Sequence, residues 1–431
     1  MKRIYLETYG CQMNEADSEL IAGVLQDAGL EIVERPDDAD VLLLNTCAVR
    51  AHAEQRVLGR ITELGRFKAR RPDLLVGVTG CMAQHLRGRL LDHAHALDFV
   101  VGPDGYRDLP ALLERAAREP VAVVRPDPDE TYGDLEPRRA PGVRAWVTVQ
   151  RGCDQSCSYC VVPYTRGRGR SLPLADVVRE VRRSVAGGCR EVILLGQTVN
   201  SWRDGERDFA DLLRAARDVE GLLRLRYISP HPTHVDERMV EVMAERGTLC
   251  PQVHLPLQSA SDRILAAMGR GYTLAHYRDV IARLRAAVPA LALSTDIIVG
   301  FPGETIADFQ LTADYLRAER FDSAFLFKYS ARPDTHAFGL EETVSEEEKS
   351  RRLALLIELQ HAISGVMNDT WIGREVEALV EGPARRNPAQ LYARTAQFKA
   401  VVFPQDGTPA GTLRRLRVTG ATTMTLVGVP A

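Results

Sequence analysis

The chain has 431 residues, of which 45% are hydrophobic and 26% are charged, and its net charge is −3. This composition is typical of folded globular proteins, and the overall charge does not by itself indicate a nucleic-acid-binding protein. No apolar run is long enough to span a membrane, and no apolar segment near the N-terminus has the form of a secretory signal, so we expect a cytoplasmic protein. Eight cysteines in that reducing compartment favour metal or redox chemistry over disulfide bonds.

Short apolar runs alternate with helical patterns in residues 1–118. The predicted strands are residues 3–8, 41–45, 75–79 and 97–101, and the predicted helices are 14–28, 52–71 and 106–118. This alternation predicts an α/β domain with a parallel sheet. Residues 119–143 are rich in proline and acidic residues and are predicted to form a linker.

The alternation resumes in residues 144–369 with longer units. The predicted strands are residues 145–150, 191–196, 223–229, 252–257, 291–299 and 324–329. Six such units predict a partial (β/α)6 barrel, in which chemistry takes place at the C-terminal ends of the strands. Residues 370–431 alternate with period two at 376–380, 392–403, 412–419 and 423–429, which predicts a small β-barrel.

Three cysteines lie close together in the stretch RGCDQSCSYC, directly after a predicted strand: Cys153, Cys157 and Cys160. Three thiolates at this spacing can surround one soft metal centre, such as zinc or an iron–sulfur cluster. A structural zinc site needs four protein ligands, and no fourth ligand lies nearby in the sequence. We therefore favour a four-iron cluster with one open iron, and a zinc site with a distant fourth ligand is the alternative.

Three other cysteines share a local context although they lie far apart in the sequence: Cys11, Cys47 and Cys81. Each follows the C-terminal end of a predicted parallel strand, so all three should meet at one edge of the sheet, where open α/β sheets bind ligands. We expect a second [4Fe-4S] cluster there, with buried packing cysteines as the alternative. Cys189 and Cys250 precede barrel strands and are expected to be packing residues.

The Cys153 loop, with an aromatic residue before its last cysteine and a six-unit barrel after it, resembles the radical S-adenosylmethionine superfamily. The resemblance implies that the cluster cleaves S-adenosylmethionine to a 5′-deoxyadenosyl radical, with the three loop cysteines at the catalytic centre. It also implies contacts with S-adenosylmethionine from Tyr159, Gly196, Gln197, Asn200, Gln258, Thr295 and Asp296.

Motifs along nearly the whole chain are similar, in their order, to those of the methylthiotransferase family: ETYGCQMNEADSE, NTCAVR, GVTGCMAQ, RGCDQSCSYCVVPYTRGRGRS, SPHP, HLPLQS, RGYT, STDIIVGFPGET and FDSAFLFKYS. The phrases YGCQMN and CVVPYTRG favour members that act on N6-isopentenyladenosine at position 37 of tRNA. The implied reaction transfers a methylthio group to carbon 2 of that base, because a carbon radical can take a hydrogen that no protein base would remove. The second cluster would supply the sulfur, and a second S-adenosylmethionine the methyl group.

RNA contacts are predicted in two places. Beside the Cys153 loop lie Tyr164, Arg166, Arg168 and Arg170, which could contact phosphates or bases, although a solvated basic loop is the alternative. The last domain resembles a TRAM domain, a small barrel that binds RNA. Residues 370–431 hold eight basic and four acidic residues, a net charge of +4, and Arg394 and Lys399 are the RNA contacts predicted there.

Some positions depart from the family pattern, among them Thr198 and Phe398, where asparagine is usual. Close alternatives are the same chemistry on threonylcarbamoyl-adenosine of tRNA or on a ribosomal-protein aspartate. An alternative of another class is a non-catalytic iron–sulfur sensor that binds RNA. For the enzyme we expect an electron donor such as flavodoxin or ferredoxin, proteins that supply sulfur and clusters, a monomeric chain and no membrane partner.

Overall fold

The computed structural model describes residues 2–48, 51–87, 89–93 and 96–431. The last two residues of the NTCAVR motif, Val49 and Arg50, lie outside the described residues. None of the helices formed by the described residues is both long enough and apolar enough to cross a membrane.

The apolar runs of the N-terminal region pair as one parallel sheet in the order β2-β1-β3-β4-β5-β6. Its strands are β1 (Arg3–Thr8), β2 (Glu31–Val33), β3 (Val41–Thr46), β4 (Leu75–Gly80), β5 (Phe99–Val101) and β6 (Val121–Val123). Its helices are α1 (Gln12–Asp27), α2 (Ala51–Arg70), α3 (Cys81–Leu86), α4 (Arg89–His93) and α5 (Leu109–Ala116). Apolar clusters cover both faces of this sheet, as a parallel sheet requires.

Residues 119–143, predicted to be a linker, contribute to the N-terminal core. The strand β6 pairs with β5 at the edge of the sheet. Tyr132 is buried and stacks on Tyr106 with the ring centroids 5.5 Å apart. The segment therefore connects the two larger units while packing against the first of them.

The central region forms the partial barrel, with parallel strands in the order β7-β10-β11 and β12-β13-β14. An isolated parallel bridge between Leu225 and Leu249 links the two groups. The barrel strands are β7 (Arg144–Thr148), β10 (Glu191–Leu195), β11 (Arg224–Tyr227), β12 (Gln252–His254), β13 (Ala292–Val299) and β14 (Ser323–Lys328), and the short pair β8 (Gln150–Arg151) and β9 (Arg170–Ser171) is antiparallel. The helices are α6 (Val162–Arg166), α7 (Leu174–Ala186), α8 (Phe209–Arg217), α9 (Glu237–Glu245), α10 (Asp262–Ala267), α11 (Leu274–Ala287), α12 (Ile306–Glu319) and α13 (Glu346–Asp369).

The C-terminal region is a closed barrel in the order β15-β16-β17-β19-β18. Its strands are β15 (Glu375–Ala384), β16 (Asn387–Thr395), β17 (Ala400–Pro404), β18 (Leu413–Ala421) and β19 (Thr425–Pro430). The prediction of one strand over residues 392–403 is wrong, because the chain turns back between β16 and β17. Phe398 adopts a left-handed conformation in that turn, with φ of 66°. The three-part architecture itself is confirmed.

The three parts pack at different positions on the central barrel. Met13 and Ala16 of α1 cluster with Ile193 and Leu195, which alternate along β10 with residues of the main barrel core. The N-terminal domain therefore fills one side of the barrel interior. The C-terminal barrel contacts the N-terminal ends of β7 and β11, at the end opposite the Cys153 loop, where Arg226 donates hydrogen bonds to the carbonyls of Thr395 and Ala396.

Candidate active site

Polar side chains tie together three strand ends of the N-terminal sheet. Asn14 donates hydrogen bonds to the side chain of Asn45 and the carbonyl of Thr46, and Asn45 donates back to the carbonyl of Asn14 at 2.8 Å. Thr46 donates to the carbonyl of Thr79 at 2.6 Å. These bonds fix the turn after β1 against the ends of β3 and β4, and each of these ends carries a cysteine.

The three cysteines of this edge lie close to one another. A hydrogen bond with Cys47 lowers the pKa of the Cys11 thiol to about 6. Burial raises the pKa of the Cys81 thiol, and the nearby Cys11 thiol raises it further. A glycine precedes Cys11 because a Cβ atom at Gly10 would lie 2.8 Å from the Cβ of Cys47. These contacts bring the three cysteines together at one edge of the sheet, as the sequence predicts.

The second trio lies in the loop after β8, and neighbouring side chains hold its thiols. The Sγ atom of Cys153 lies 3.1 Å from the hydroxyl of Thr198. Arg270 donates a hydrogen bond to the Sγ atom of Cys157 at 3.2 Å. Burial raises the pKa of Cys153 and raises that of Cys160 to about 12. A cationic donor and a hydroxyl beside sulfur are interactions that favour the thiolate forms that metals require.

The loop that carries the second trio is itself anchored. Ser158 donates to the carbonyls of Met268 and Ala267 at 2.9 and 2.8 Å, which fixes the loop to the end of α10. The guanidinium of Arg270 also reaches the hydroxyl of Tyr272 and the carbonyl of Pro256. The loop is thus held by backbone and charged contacts rather than by apolar packing alone.

A buried ionic group joins the two trios. Arg166, at the end of α6, donates to Cys81 Sγ at 3.1 Å and to Asp17 at 2.7 Å. Arg151 donates to the other oxygen of Asp17 at 2.8 Å. Burial raises the pKa of Asp17, but the two arginines outweigh burial and hold it below its ordinary value. Val161, directly after Cys160, clusters with Cys81.

The donor sets fit iron–sulfur clusters better than single ions. Among the side chains that the structure describes, no group of three His, Cys, Asp or Glu residues could hold one metal ion. An iron–sulfur cluster is a multi-atom body whose thiolate ligands surround it at a distance. Two separate trios of thiols, each with a buried arginine donating to one sulfur atom, provide that arrangement.

The C-terminal ends of three barrel strands present buried polar atoms that have no hydrogen-bond partner among the described residues. These atoms are Oε1 of Gln197 after β10, Nε2 of His231 after β11 and Oε1 of Gln258 after β12. Buried polar groups are nearly always paired, so three unpaired atoms at one end of the barrel indicate a polar ligand there. Gln258 also has a left-handed backbone, with φ of 74°, a strained conformation typical of binding sites. The residues fit S-adenosylmethionine.

Three other predicted cofactor contacts, Asn200, Thr295 and Asp296, have partners within the protein, and as direct contacts they stay predictions. Both ends of the Asn200 amide bind the backbone of His231, at 3.0 and 2.7 Å, so Asn200 joins two strand ends. The hydroxyl of Thr295 is fully buried on the helix-facing side, where it donates to the carbonyl of Leu255. Asp296 lies 3.3 Å from Nε2 of His254 in the barrel interior.

The two remaining predicted contacts lie beside this site. Gly196 is buried at the end of β10, and a Cβ atom there would lie 2.9 Å from the backbone of Val199. Tyr159 packs against the cluster formed by Ile264, Met268, Phe301, Tyr329 and Ala337. Both stay predictions as direct contacts.

Most of the predicted RNA-binding cations are engaged within the protein. Arg166 and Arg170 are buried, and Arg170 pairs with Asp104 at 3.0 Å. In the C-terminal barrel, Lys399 pairs with Asp322 at 2.7 Å and Arg394 pairs with Glu381 at 3.0 Å. Burial removes Arg166 and Arg170 from the surface that RNA could reach, whereas Arg394 and Lys399, whose side chains are 23% and 10% exposed, stay predictions. The exposed residues Tyr164 and Arg168 stay predictions.

Several residues of the site were not predicted from the sequence. They are Asp17, Arg151, Thr198, His231 and Arg270. His231 and Arg270 lie in the motifs SPHP and RGYT. These motifs marked the two positions but did not indicate what the side chains do. Asp17 and Arg151 also lie in quoted motifs, ETYGCQMNEADSE and RGCDQSCSYC, but the motifs do not show their pairing, which joins residues far apart in the chain.

Family comparisons agree with the two halves of the site. The profile described as the radical SAM superfamily matches residues 147–316, and the one described as uncharacterized protein family UPF0004 matches residues 3–102. The chain is 43% identical over 438 residues to the tRNA-2-methylthio-N(6)-dimethylallyladenosine synthase of Chlorobium phaeobacteroides (strain BS1), covering 100% of this chain and 97% of the relative. It is 43% identical to the protein of the same name from Moorella thermoacetica, covering 99% and 98%.

Solved structures share the fold at lower identity. The radical S-adenosylmethionine methyltransferase TsrM from Kitasatospora setae is 17% identical, with a TM-score of 0.59 over 78% of this chain and 75% of that chain. The cobalamin-dependent S-adenosylmethionine radical enzyme OxsB is 12% identical, with a TM-score of 0.52 over 84% of this chain and 58% of that chain. These similarities concern the fold.

Proposed function

The chain belongs to the family of tRNA-2-methylthio-N(6)-dimethylallyladenosine synthases of the radical SAM superfamily, and from that premise we propose its reaction and its site. It transfers a methylthio group to carbon 2 of N6-isopentenyladenosine at position 37 of tRNA. Two cysteine trios support this proposal, because one can hold the radical-generating cluster and the other a sulfur-donating cluster. The observation that carries it is the contact of Cys81, in one trio, with Val161 and Arg166, which follow the other trio in the chain.

Each side chain of the radical site has a role that its contacts support. Cys153, Cys157 and Cys160 hold the first cluster, which, together with S-adenosylmethionine, supplies a carbon radical able to take the hydrogen from carbon 2. Arg270 and Thr198 orient two of the thiolates. The unpaired side-chain atoms of Gln197, His231 and Gln258 hold polar groups of S-adenosylmethionine at the strand ends.

The N-terminal site supplies sulfur in this proposal. Cys11, Cys47 and Cys81 would hold a second [4Fe-4S] cluster, which would supply the sulfur. The chain needs a one-electron donor, such as flavodoxin or ferredoxin, and proteins that replenish its sulfur, because neither electrons nor sulfur can come from its own residues. With tRNA as the substrate, we place its action in the cytoplasm.

Replacement of each trio by alanine tests the division of labour. The parent protein, reconstituted anaerobically, should hold about eight irons per chain, and each triple variant about four. The variant without Cys11, Cys47 and Cys81 should still form 5′-deoxyadenosine from S-adenosylmethionine. The variant without Cys153, Cys157 and Cys160 should not. Neither should thiomethylate isopentenylated tRNA.

The same assay separates the proposed substrate from its alternatives. Turnover is measured on tRNA that carries isopentenyladenosine, on tRNA that carries threonylcarbamoyl-adenosine and on the ribosomal-protein aspartate. Product on the first substrate alone is expected. Product on either of the others alone would refute the substrate assignment, and bound zinc without S-adenosylmethionine cleavage would refute the enzyme.

A further inference from the structure

Two buried arginines beside Cys81 share one carboxylate. Asp17 carries one negative charge, and Arg151 and Arg166 both donate to it at 2.8 and 2.7 Å. All three side chains are almost completely buried. Tyr106 donates a further neutral hydrogen bond to Asp17 at 3.2 Å. One positive charge is thus left without a carboxylate, and an uncompensated buried charge is strongly unfavourable.

The donors of the Arg166 guanidinium are only partly used. Its Nε–H already donates to the Sγ atom of Cys81 at 3.1 Å. Its NH1 group is buried and has no hydrogen-bond partner. A guanidinium is a rigid planar fork of donors, so a group held through Nε and NH2 has a fixed direction for NH1. The unpaired donor indicates an anionic acceptor that is bound during function.

We propose that Arg166 is the positioning residue of the N-terminal cluster, where its Nε–H holds the Cys81 thiolate and its NH1 group donates to anionic sulfur. The anion is a hydrosulfide or a thiolate, the form in which sulfur reaches and leaves an open iron. This inference rests on the proposed second cluster and adds a specific role to it. Asp17 is the residue that aims the guanidinium.

A hydrogen bond from a cation to cluster sulfur shifts the reduction potential of the cluster in one direction, and apolar packing does not share this effect. Reduction adds negative charge to the cluster, and a buried positive donor stabilises the reduced form. Loss of the Arg166 guanidinium should therefore make the reduction potential of this cluster more negative. A purely structural arginine would alter stability without moving the potential.

The experiment isolates the N-terminal cluster by using the full chain with Cys153, Cys157 and Cys160 replaced by alanine. Arg166→Gln and Arg166→Lys are made in that background. The matched control is Arg170→Gln, because Arg170 is also buried and pairs with a carboxylate, Asp104, and its hydrogen bonds go to oxygen atoms of Asp104, Asp127 and the Arg166 backbone. Iron per chain, the midpoint potential by spectroscopic titration and the affinity for added methanethiolate are measured for each protein.

In Arg166→Gln the ratio of reduced to oxidised N-terminal cluster at a fixed potential should fall at least tenfold. This corresponds to a shift of the midpoint potential by about 59 mV for one electron. Methanethiolate should bind roughly 10- to 100-fold more weakly, the range for a hydrogen bond to a charged group. Arg166→Lys should shift both quantities less, because it keeps the charge without the fork. Arg170→Gln should change neither.

The outcomes separate this inference from the proposed function. If the parent of these variants binds no iron, the second cluster itself is refuted, and the role of Arg166 with it. If the parent binds about four irons and Arg166→Gln matches Arg170→Gln in both potential and thiolate affinity, the role of Arg166 alone is refuted. If Arg166→Gln does not fold, Arg166→Lys decides the question, and unchanged values in it overturn the inference.

Discussion

Replacement of Asp17 by asparagine tests the buried ionic group directly. The substitution keeps the volume of the side chain and removes the charge that faces Arg151 and Arg166, at 2.8 and 2.7 Å. Because it leaves two guanidinium groups buried without their carboxylate, we expect a loss of about 3–5 kcal/mol in the free energy of unfolding. For a domain of this size such a loss lowers the melting temperature by on the order of 10 °C.

The measurement is calorimetric unfolding of the anaerobic holoprotein, with Asp104→Asn as the matched control. Asp104 is a buried carboxylate that pairs with one arginine, Arg170, rather than two. The loss in the free energy of unfolding in Asp104→Asn should therefore be smaller, about 1.5–3 kcal/mol. A melting temperature of Asp17→Asn equal to that of the parent would show that the pair contributes nothing net. A loss no larger than that of Asp104→Asn would show that the second arginine does not couple to Asp17.

The stability difference between the parent and Asp17→Asn should depend on pH in one direction only. The two arginines hold the pKa of Asp17 below its ordinary value of 3.8, despite burial. A carboxylate with a depressed pKa in the folded state stabilises the fold fully above its unfolded pKa and loses that contribution as the pH falls through the folded value. The difference between the parent and Asp17→Asn should thus be the same at pH 7 and pH 5, and a difference that halves between them contradicts the assignment.

Three further variants examine other parts of the structure. Glu54 lies 3.7 Å from Nδ1 of His85 and raises the pKa of His85 above 6.5. The stability lost in His85→Gln should therefore be greatest below pH 6.5 and shrink as the pH rises through the raised pKa. Thermal unfolding from pH 5.5 to 8.5 measures it, and a loss that grows with pH contradicts it. Gln258→Ala should weaken S-adenosylmethionine binding roughly 10-fold by equilibrium dialysis, because it removes an unpaired buried acceptor, and unchanged affinity would remove Gln258 from the site. Phe398→Ala should speed hydrogen exchange in β16 and β17, because the ring lies 4.7 Å from the guanidinium of Arg226. Such contacts contribute about 0.5–2 kcal/mol. Unchanged exchange would show that the ring does not hold the C-terminal barrel in place.

The positions of the six cysteines of the two trios could be predicted because they follow from local patterns. Cys11, Cys47 and Cys81 each come after an apolar run, and parallel strands end at a common edge. The spacing of the second trio is visible within one loop. The order of the β/α units likewise follows from alternation in the sequence, and the folded chain has that order.

The state of the charged residues could not be predicted in the same way. Arg166 and Arg170 alternate with glycines, a pattern that resembles a solvated basic loop. Their carboxylate partners lie 149 and 66 positions away in the chain, at Asp17 and Asp104. Lys399 similarly finds Asp322 across a domain boundary. Composition shows that a charge exists, but only the fold determines whether it faces water or a partner.

The pairing of Asp17 with Arg166 also links the segments that follow the two cysteine trios. Asp17 lies six residues after Cys11, on α1, and Arg166 lies six residues after Cys160, at the end of α6. Each member of the pair is thus carried by the helix that follows a cysteine loop, so the ion pair connects the two loops through short, rigid segments. Because the pair is fully buried, water does not weaken it, and movement of either loop would expose an unpaired charge. The ion pair and its contact with Cys81 therefore connect the two cysteine loops directly, in addition to the chain connection over residues 119–143.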